Sequence, residues 1–106
     1  HGVTVDIDYH LGYPVTLNHS EATELARQVI RRTFGEARYT ELPESSMAAE
    51  DFAEYQQEVE GMFMFLGVNG GRGGAPLHSS KFDFDEEVLL VGAEAFKRIL
   101  ESENYA

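Results

Sequence analysis

His78 is the residue of this sequence whose type and place best suit chemistry. It lies in a loop shortly after Pro76, between an apolar run and an expected helix. In open α/β sheets such loops form the ligand crevice, and histidine is the commonest protein ligand of metal ions. A metal ligand needs partners, and the residues leave open whether His78 is a ligand or an ordinary surface histidine. None of the other histidines forms an HxH or HxxxH pair with it: His1, His10 and His19.

Two adjacent carboxylates, Glu50 and Asp51, form the second candidate site. Neighbouring helical positions diverge by about 100°, so these side chains cannot face each other as an acid–base pair. The residue types favour a role in complementing the positive end of a helix dipole. A role for one of them in supporting a nearby active-site group stays open.

Two further patterns resemble ligand-binding loops but lack decisive residues. No Lys-Ser or Lys-Thr follows the glycine-rich stretch 67–74, and a GxGxxG register from Gly71 places Pro76 at the last glycine. Alternating carboxylates from Asp83 onward resemble a calcium loop, but Val88 stands where that loop needs glycine. We therefore expect a turn in the first case and a capped, acidic helix start in the second.

The composition describes one acidic globular domain. The chain has 106 residues, of which 42% are hydrophobic and 25% charged, as in ordinary globular proteins. Eight Lys and Arg against nineteen Asp and Glu give a net charge of −11, which repels nucleic acid phosphates and anionic lipid. We therefore expect no nucleic acid partner and no membrane partner. The absence of cysteine excludes disulfides, thiolate zinc sites and thiol nucleophiles.

The hydrophobic patterns predict the elements that would position these residues. Alternation from Val3 to Leu11 predicts a strand with one buried face, and the apolar run Met62–Val68 predicts a central strand covered on both faces. Residues 37–42 are a weaker strand candidate. Apolar residues at helical spacing predict three helices: about 20–34, from 45 or 46 to about 59, and about 85–101.

The expected helix caps are Asn18 or Ser20, Ser45 or Ser46, and Asp85, in that order. Strands and helices thus alternate along the chain, which indicates an α/β layered fold. No run approaches the roughly 20 apolar residues of a membrane span. The chain opens without an initiator Met or the pattern of a secretory signal, so we expect a cytoplasmic protein and a chain cut from a longer one.

Four segments resemble, in order and spacing, the C-terminal quarter of the zinc-dependent amidohydrolases. That group includes hippurate hydrolase, bacterial N-acyl-amino-acid amidohydrolases and plant auxin-conjugate hydrolases. The most specific feature is the pairing of the Glu-Asp-Phe segment with the later Pro-Leu-His segment. The segments are YPVTLN at 13–18, MAAEDF at 47–52, GMFMFLG at 61–67 and APLHSSKFDFDE at 75–86.

This resemblance implies an α/β catalytic domain interrupted by a smaller lid and dimerisation domain. Residues 1–14 would be the last strand of the lid, and residues 15–106 the closing part of the catalytic domain. The implied cofactors are two divalent metal ions that share a bridging water: zinc, or alternatively manganese, cobalt or nickel. The implied substrate is an N-acyl amino acid or small peptide, and the implied assembly is a homo-oligomer.

The resemblance also assigns roles to the candidate residues. His78 matches the C-terminal metal ligand, and Glu50 and Asp51 match a segment near the active site, where either could orient that histidine. Ala48 stands where relatives usually have glycine. The other ligands and the general-base glutamate belong to the family's N-terminal half, so we expect this chain to be inactive alone. The alternative is a non-catalytic acidic interaction or regulatory module that retains the fold.

Overall fold

The computed structural model of this protein describes residues 2–69 and 74–102, in which the regular elements are helical. The elements are α1 (Ser20–Phe34), a short 3₁₀ helix (Glu36–Arg38), α2 (Phe52–Glu58) and α3 (Val88–Leu100). Helices α1 and α3 pack against each other. The buried apolar side chains of the described residues are all small or aliphatic: Ala26, Val29, Ile30, Ala53 and Ala95. The middle of the expected glycine-rich turn, residues 70–73, lies outside the described residues.

Helix α1 forms where its periodicity predicts it. It begins at Ser20, but the predicted cap is wrong, because His19 occupies the cap position and no side chain caps the helix. The predicted end is confirmed. Gly35 adopts a φ of 93°, which glycine reaches without strain, and its N–H donates to the carbonyl of Arg31 at 2.9 Å.

Helix α2 begins later than predicted. It covers only Phe52–Glu58, and the predicted start at Ser45 or Ser46 is wrong. The hydroxyl of Ser46 accepts the N–H of Ala48 at 3.3 Å. Such a local side-chain bond competes with helical hydrogen bonding, which explains why a start predicted from a capping serine lies too early.

Helix α3 also begins later than predicted, at Val88 rather than Asp85. The Asp85 carboxylate accepts the N–H of Glu87 at 3.1 Å, and its carbonyl accepts that of Val88 at 3.1 Å. Asp85 therefore stabilises the turn that leads into the helix. The helical spacing predicts an inward face on α3 made of six apolar residues. Two of them are half-buried, Val88 and Ile99, and the other four are exposed: Leu89, Ala93, Phe96 and Leu100.

The predicted strands are not confirmed, and neither is the α/β class. No residue in 2–69 or 74–102 is assigned to a strand. A strand requires a ladder of hydrogen bonds to a neighbour, whereas the described segments exchange only isolated backbone bonds. His19 N–H donates to Gly61 at 3.0 Å, and Asp85 N–H donates to Val68 at 3.4 Å.

The segments predicted to be strands are instead largely uncovered. Val3, Ile7 and the other apolar residues of the alternating segment are exposed, as are Phe65 and Leu66 in the run predicted to be buried on both faces. The radius of gyration is 18.2 Å, against about 13 Å for a compact chain of this length. No helix in the described residues is long and apolar enough to cross a bilayer.

Candidate functional site

His78 lies in a tight turn and has a strained backbone. The N–H of Ser79 donates to the carbonyl of Pro76 at 3.1 Å, which makes His78 the third residue of a four-residue turn. Its φ of 67° is in the left-handed region, where a residue with a Cβ costs about 1–2 kcal/mol. The turn leaves the imidazole exposed. Position and exposure both suit a ligand, and backbone strain of this kind is common at functional sites.

The imidazole is one donor of suitable chemistry rather than a complete site. No group of three or more histidine or carboxylate side chains able to hold a metal occurs in residues 2–69 and 74–102. A catalytic zinc takes about three protein ligands. His78 therefore fits a metal site as one ligand among several, provided that the other ligands come from outside the described residues.

Glu50 and Asp51 lie at the start of α2, and their carboxylates differ in what they contact. The carboxylate of Glu50 accepts the N–H of Phe52 at 3.1 Å and is half-buried. This arrangement matches the interpretation of Glu50 as a partner for the positive helix end. The Asp51 carboxylate is exposed and makes no capping hydrogen bond. Within the described residues, no hydrogen bond or ion pair joins either of them to His78.

A shallow polar cavity of about 460 Å³ opens beside the His78 loop. Lys81 and two carboxylates, Asp83 and Asp85, provide its charged lining. The cavity brings together residues on either side of the expected glycine-rich turn, at Asn69 and Gly74. Lys81 and the two carboxylates give this cavity both donors and acceptors for charge-assisted hydrogen bonds.

An apolar cavity of about 470 Å³ lies between the helices and the segment that follows Gly61. The rings of Phe52 and Phe63 pack at 5.6 Å, and those of Phe63 and Phe65 meet edge to face at 5.5 Å. These contacts hold the 61–65 segment over the helices without filling the space between them. The lining comes from α1, α2, α3 and the segment 61–64: Ala22, Leu25, Ala26, Phe52, Gly61, Met62, Phe63, Met64, Phe96, Ile99 and Leu100.

Two amides, Asn18 and Gln56, position the 61–63 segment, and the sequence analysis missed this role. The Asn18 amide bonds to both backbone groups of Phe63. Gln56 accepts the N–H of Leu17 at 3.0 Å and donates to the carbonyl of Gly61 at 3.1 Å. The available signal was the place of Asn18 in one of the four family-like segments, whereas its residue type had suggested only a helix cap.

An electrostatic cluster on α1 lies apart from these residues and is structural. Arg27 pairs with Glu41 at 2.7 Å and with Glu24, and the Tyr39 ring lies 5.9 Å from its guanidinium carbon. A hydrogen bond to Tyr39, opposed by desolvation, raises the pKa of Arg27 above its usual value. A hydrogen bond from Gln28, aided by the charge of Arg27, lowers the pKa of the Glu24 carboxyl. The cluster ties the outer side of α1 to the chain that follows it.

Comparison with known proteins identifies the family. Residues 3–102 match peptidase family M20/M25/M40. The probable hydrolase sll0100 of Synechocystis sp. is 32% identical over 87% of this chain and 24% of its own length. Thermostable carboxypeptidase 2 of Saccharolobus solfataricus is 38% identical over 78% of this chain and 21% of its own length.

The putative amidohydrolase YhaA of Bacillus subtilis is 32% identical over 89% of this chain and 24% of its own length. The chain thus spans about a quarter of the length of these relatives. No solved structure matches it. The family match covers nearly every residue from the alternating segment to the end of α3, so the chain belongs to peptidase family M20/M25/M40.

Proposed function

We propose that this chain is part of a metal-dependent amidohydrolase that cleaves the amide bond of N-acyl amino acids or small peptides. Family membership carries the proposal. The relatives' names support the substrate class, since they include a carboxypeptidase, an N-acetyldiaminopimelate deacetylase and an N-acetylcysteine deacetylase. All three names describe hydrolysis of an amide bond next to an amino acid.

His78 would hold one of two divalent metal ions through a neutral ring nitrogen. Its exposure and the turn that projects it support this role. When bound, the pair of ions would supply a polarised substrate carbonyl and a water of lowered pKa. Zinc is the expected metal, and manganese, cobalt or nickel are the alternatives that the family resemblance implies. Imidazole suits zinc and nickel in particular.

Asp51 is the better candidate to orient the His78 ring. Its carboxylate is exposed and makes no capping bond, whereas that of Glu50 already accepts the N–H of Phe52. A carboxylate that accepts the second imidazole N–H fixes the ring and its tautomer. Asp51→Asn in the catalytically complete protein should lower activity or metal affinity by about 10 to 100-fold, and Glu50→Gln should have a smaller effect.

The proposed domain arrangement assigns residues 1–14 to the last strand of a lid domain and residues 15–106 to the closing part of the catalytic domain. Exposed apolar side chains along 3–17 and on α3 support an arrangement in which further layers cover them. The chain by itself would then supply one ligand, His78, and no general base. A non-catalytic acidic interaction or regulatory module that retains the fold is the alternative.

The direct test compares this chain with the product of the complete gene that encodes it. Each is incubated with hippurate and with zinc, cobalt or manganese, and released amine is measured against a buffer blank. We expect no release by the 106-residue chain and metal-dependent release by the complete product. Turnover by the chain alone would contradict the assignment of the missing ligands. A complete product that binds no metal and hydrolyses no acyl amino acid would favour the non-catalytic module.

A further inference from the structure

Two consecutive turns meet at Ser79, the residue directly after His78. The Ser79 N–H closes the first turn by donating to the carbonyl of Pro76 at 3.1 Å, and its carbonyl closes the second by accepting the N–H of Phe82 at 3.0 Å. The Ser79 hydroxyl accepts the N–H of Lys81 at 3.1 Å. All the hydrogen bonds that join one residue of the segment 75–82 to another therefore involve Ser79.

The neighbouring Ser80 makes no comparable contribution. Ser79 is half-buried, whereas Ser80 is exposed, and no side-chain hydrogen bond of Ser80 occurs in the described residues. A serine hydroxyl that accepts the N–H two positions later stabilises a local turn. The two adjacent serines thus differ in what their hydroxyls do, which provides a matched pair for experiment.

His78 opposes the first turn. Its φ of 67° lies in the left-handed region, which disfavours a residue with a Cβ by a factor of roughly 5 to 30. One net hydrogen bond favours a conformation by about 2 to 10-fold in an equilibrium constant. Several bonds are therefore needed to hold His78 in this conformation, and the loss of one should shift the loop measurably.

The second turn has an anchored end. The Phe82 side chain is half-buried, and the centroid of its ring lies 6.0 Å from that of Phe84. The Ser79 hydroxyl fixes the chain between this aromatic contact and His78. It is the side-chain bond of the loop that can transmit the anchoring of the second turn back to the first.

We propose that Ser79 is the positioning residue of His78. Its hydroxyl holds the turn 79–82, and this turn keeps the Ser79 N–H on the Pro76 carbonyl, which fixes the backbone that carries the imidazole. The assignment rests on the proposed metal-binding role of His78. Ser79 acts through the backbone and contacts neither metal nor substrate.

This role has a measurable consequence for metal affinity. A metal binds the fraction of molecules in which the ligand is in place, so its apparent dissociation constant rises by the factor by which that fraction falls. Loss of the Ser79 hydroxyl should therefore weaken metal binding about 2 to 10-fold. The ligand itself is unchanged, so saturating metal should restore the wild-type kcat.

The test measures the zinc affinity of the complete gene product by competition with a chelator. Ser79→Ala should raise the zinc dissociation constant about 2 to 10-fold. Ser79→Thr retains a hydroxyl and should restore the wild-type value, and Ser80→Ala is the matched control and should leave it unchanged. Turnover at saturating zinc should be the same in all four proteins. Urea unfolding of the metal-free proteins verifies that each is folded.

The outcomes separate this assignment from the proposed function. If the wild-type product binds zinc and Ser79→Ala binds it as tightly as Ser80→Ala, the role of Ser79 is wrong and the proposed function stands. A Ser79→Thr protein no better than Ser79→Ala would also contradict the role of the hydroxyl. Reduced turnover of Ser79→Ala at saturating zinc, with unchanged affinity, would show that Ser79 does not act through His78. A wild-type product that binds no zinc would overturn both.

Discussion

The side-chain amide of Asn18 forms a two-point hydrogen-bonded pair with the backbone of Phe63. Its Nδ2 donates to the Phe63 carbonyl at 2.8 Å, and its Oδ1 accepts the Phe63 N–H at 2.7 Å. One side chain therefore supplies the donor and the acceptor that a neighbouring strand would otherwise offer. This pair fixes the segment after Gly61 relative to the start of α1, next to the backbone bond between His19 and Gly61.

Replacing Asn18 by alanine should destabilise the chain. Two hydrogen bonds are lost at an exposed site, so the free energy of unfolding should fall by about 1–2 kcal/mol. Urea unfolding followed by circular dichroism measures the change. Gln57→Ala, on the exposed side of α2, is the control and should change stability by less than about 0.5 kcal/mol. An equally small effect of Asn18→Ala would mean that the pair does not hold the segment.

Replacing Gly92 by alanine should stabilise α3. A glycine inside a helix costs about 1 kcal/mol relative to alanine. The added Cβ would lie 3.1 Å from Cδ2 of Leu66, but Leu66 is exposed and the end of its side chain can move. We expect a gain of about 0.5–1 kcal/mol in urea unfolding.

The control for this change is Gly12→Ala, where an added Cβ meets nothing within 4 Å. It should leave stability nearly unchanged. A loss of stability in Gly92→Ala but not in Gly12→Ala would show that Leu66 is held firmly against α3.

The ionisation of Glu24 should depend on Gln28. The hydrogen bond from Gln28 is the main cause that lowers the pKa of the Glu24 carboxyl, so Gln28→Ala should raise that pKa toward its ordinary value. A folded pKa below the unfolded one stabilises the fold above the unfolded pKa, and this contribution is lost as pH falls through the folded pKa. Carboxyl carbon NMR titration of the two chains measures the shift. Identical Glu24 titrations would rule out the role of Gln28.

Replacing His78 by asparagine tests whether the imidazole binds metal, because this change removes the ring and keeps the turn. Asparagine tolerates the left-handed conformation that His78 adopts, so His78→Asn should keep the stability of this chain within about 0.5 kcal/mol. In the catalytically complete protein the same change should remove most activity and lower metal content. His10→Asn, at another exposed histidine, is the matched control. Full metal occupancy and normal turnover in His78→Asn would end the ligand assignment.

The candidate site divides into parts that residue types reveal and parts that they do not. His78 could be singled out from its type and its loop, and the family resemblance, now confirmed, made it a ligand candidate. Its φ of 67° and the exposed carboxylate of Asp51 appear only in the folded chain. The roles of His78, Glu50 and Asp51 in metal binding stay predictions.

Helix α1 shows what the sequence by itself determined. Its bounds, Ser20 to Phe34, follow from apolar spacing and a terminal glycine, because helical hydrogen bonds join residues four positions apart and need no distant partner. The starts of α2 and α3 were predicted too early. A local bond to the Ser46 hydroxyl competes with helical hydrogen bonding before α2, and Asp85 stabilises a turn that precedes α3 rather than its first helical turn. The family could also be predicted from the four family-like segments, because a resemblance in residue types and their order can be recognised without the folded structure.

Only the tertiary structure determined whether the predicted strands form. The alternation of 3–11 and the apolar run 62–68 specify faces, but a strand exists only where a neighbour completes its hydrogen bonds. The described part of the chain offers no such ladder to either segment. It offers instead the amide of Asn18, 45 positions before Phe63, and no periodicity in the sequence encodes a contact made by one side chain across that distance.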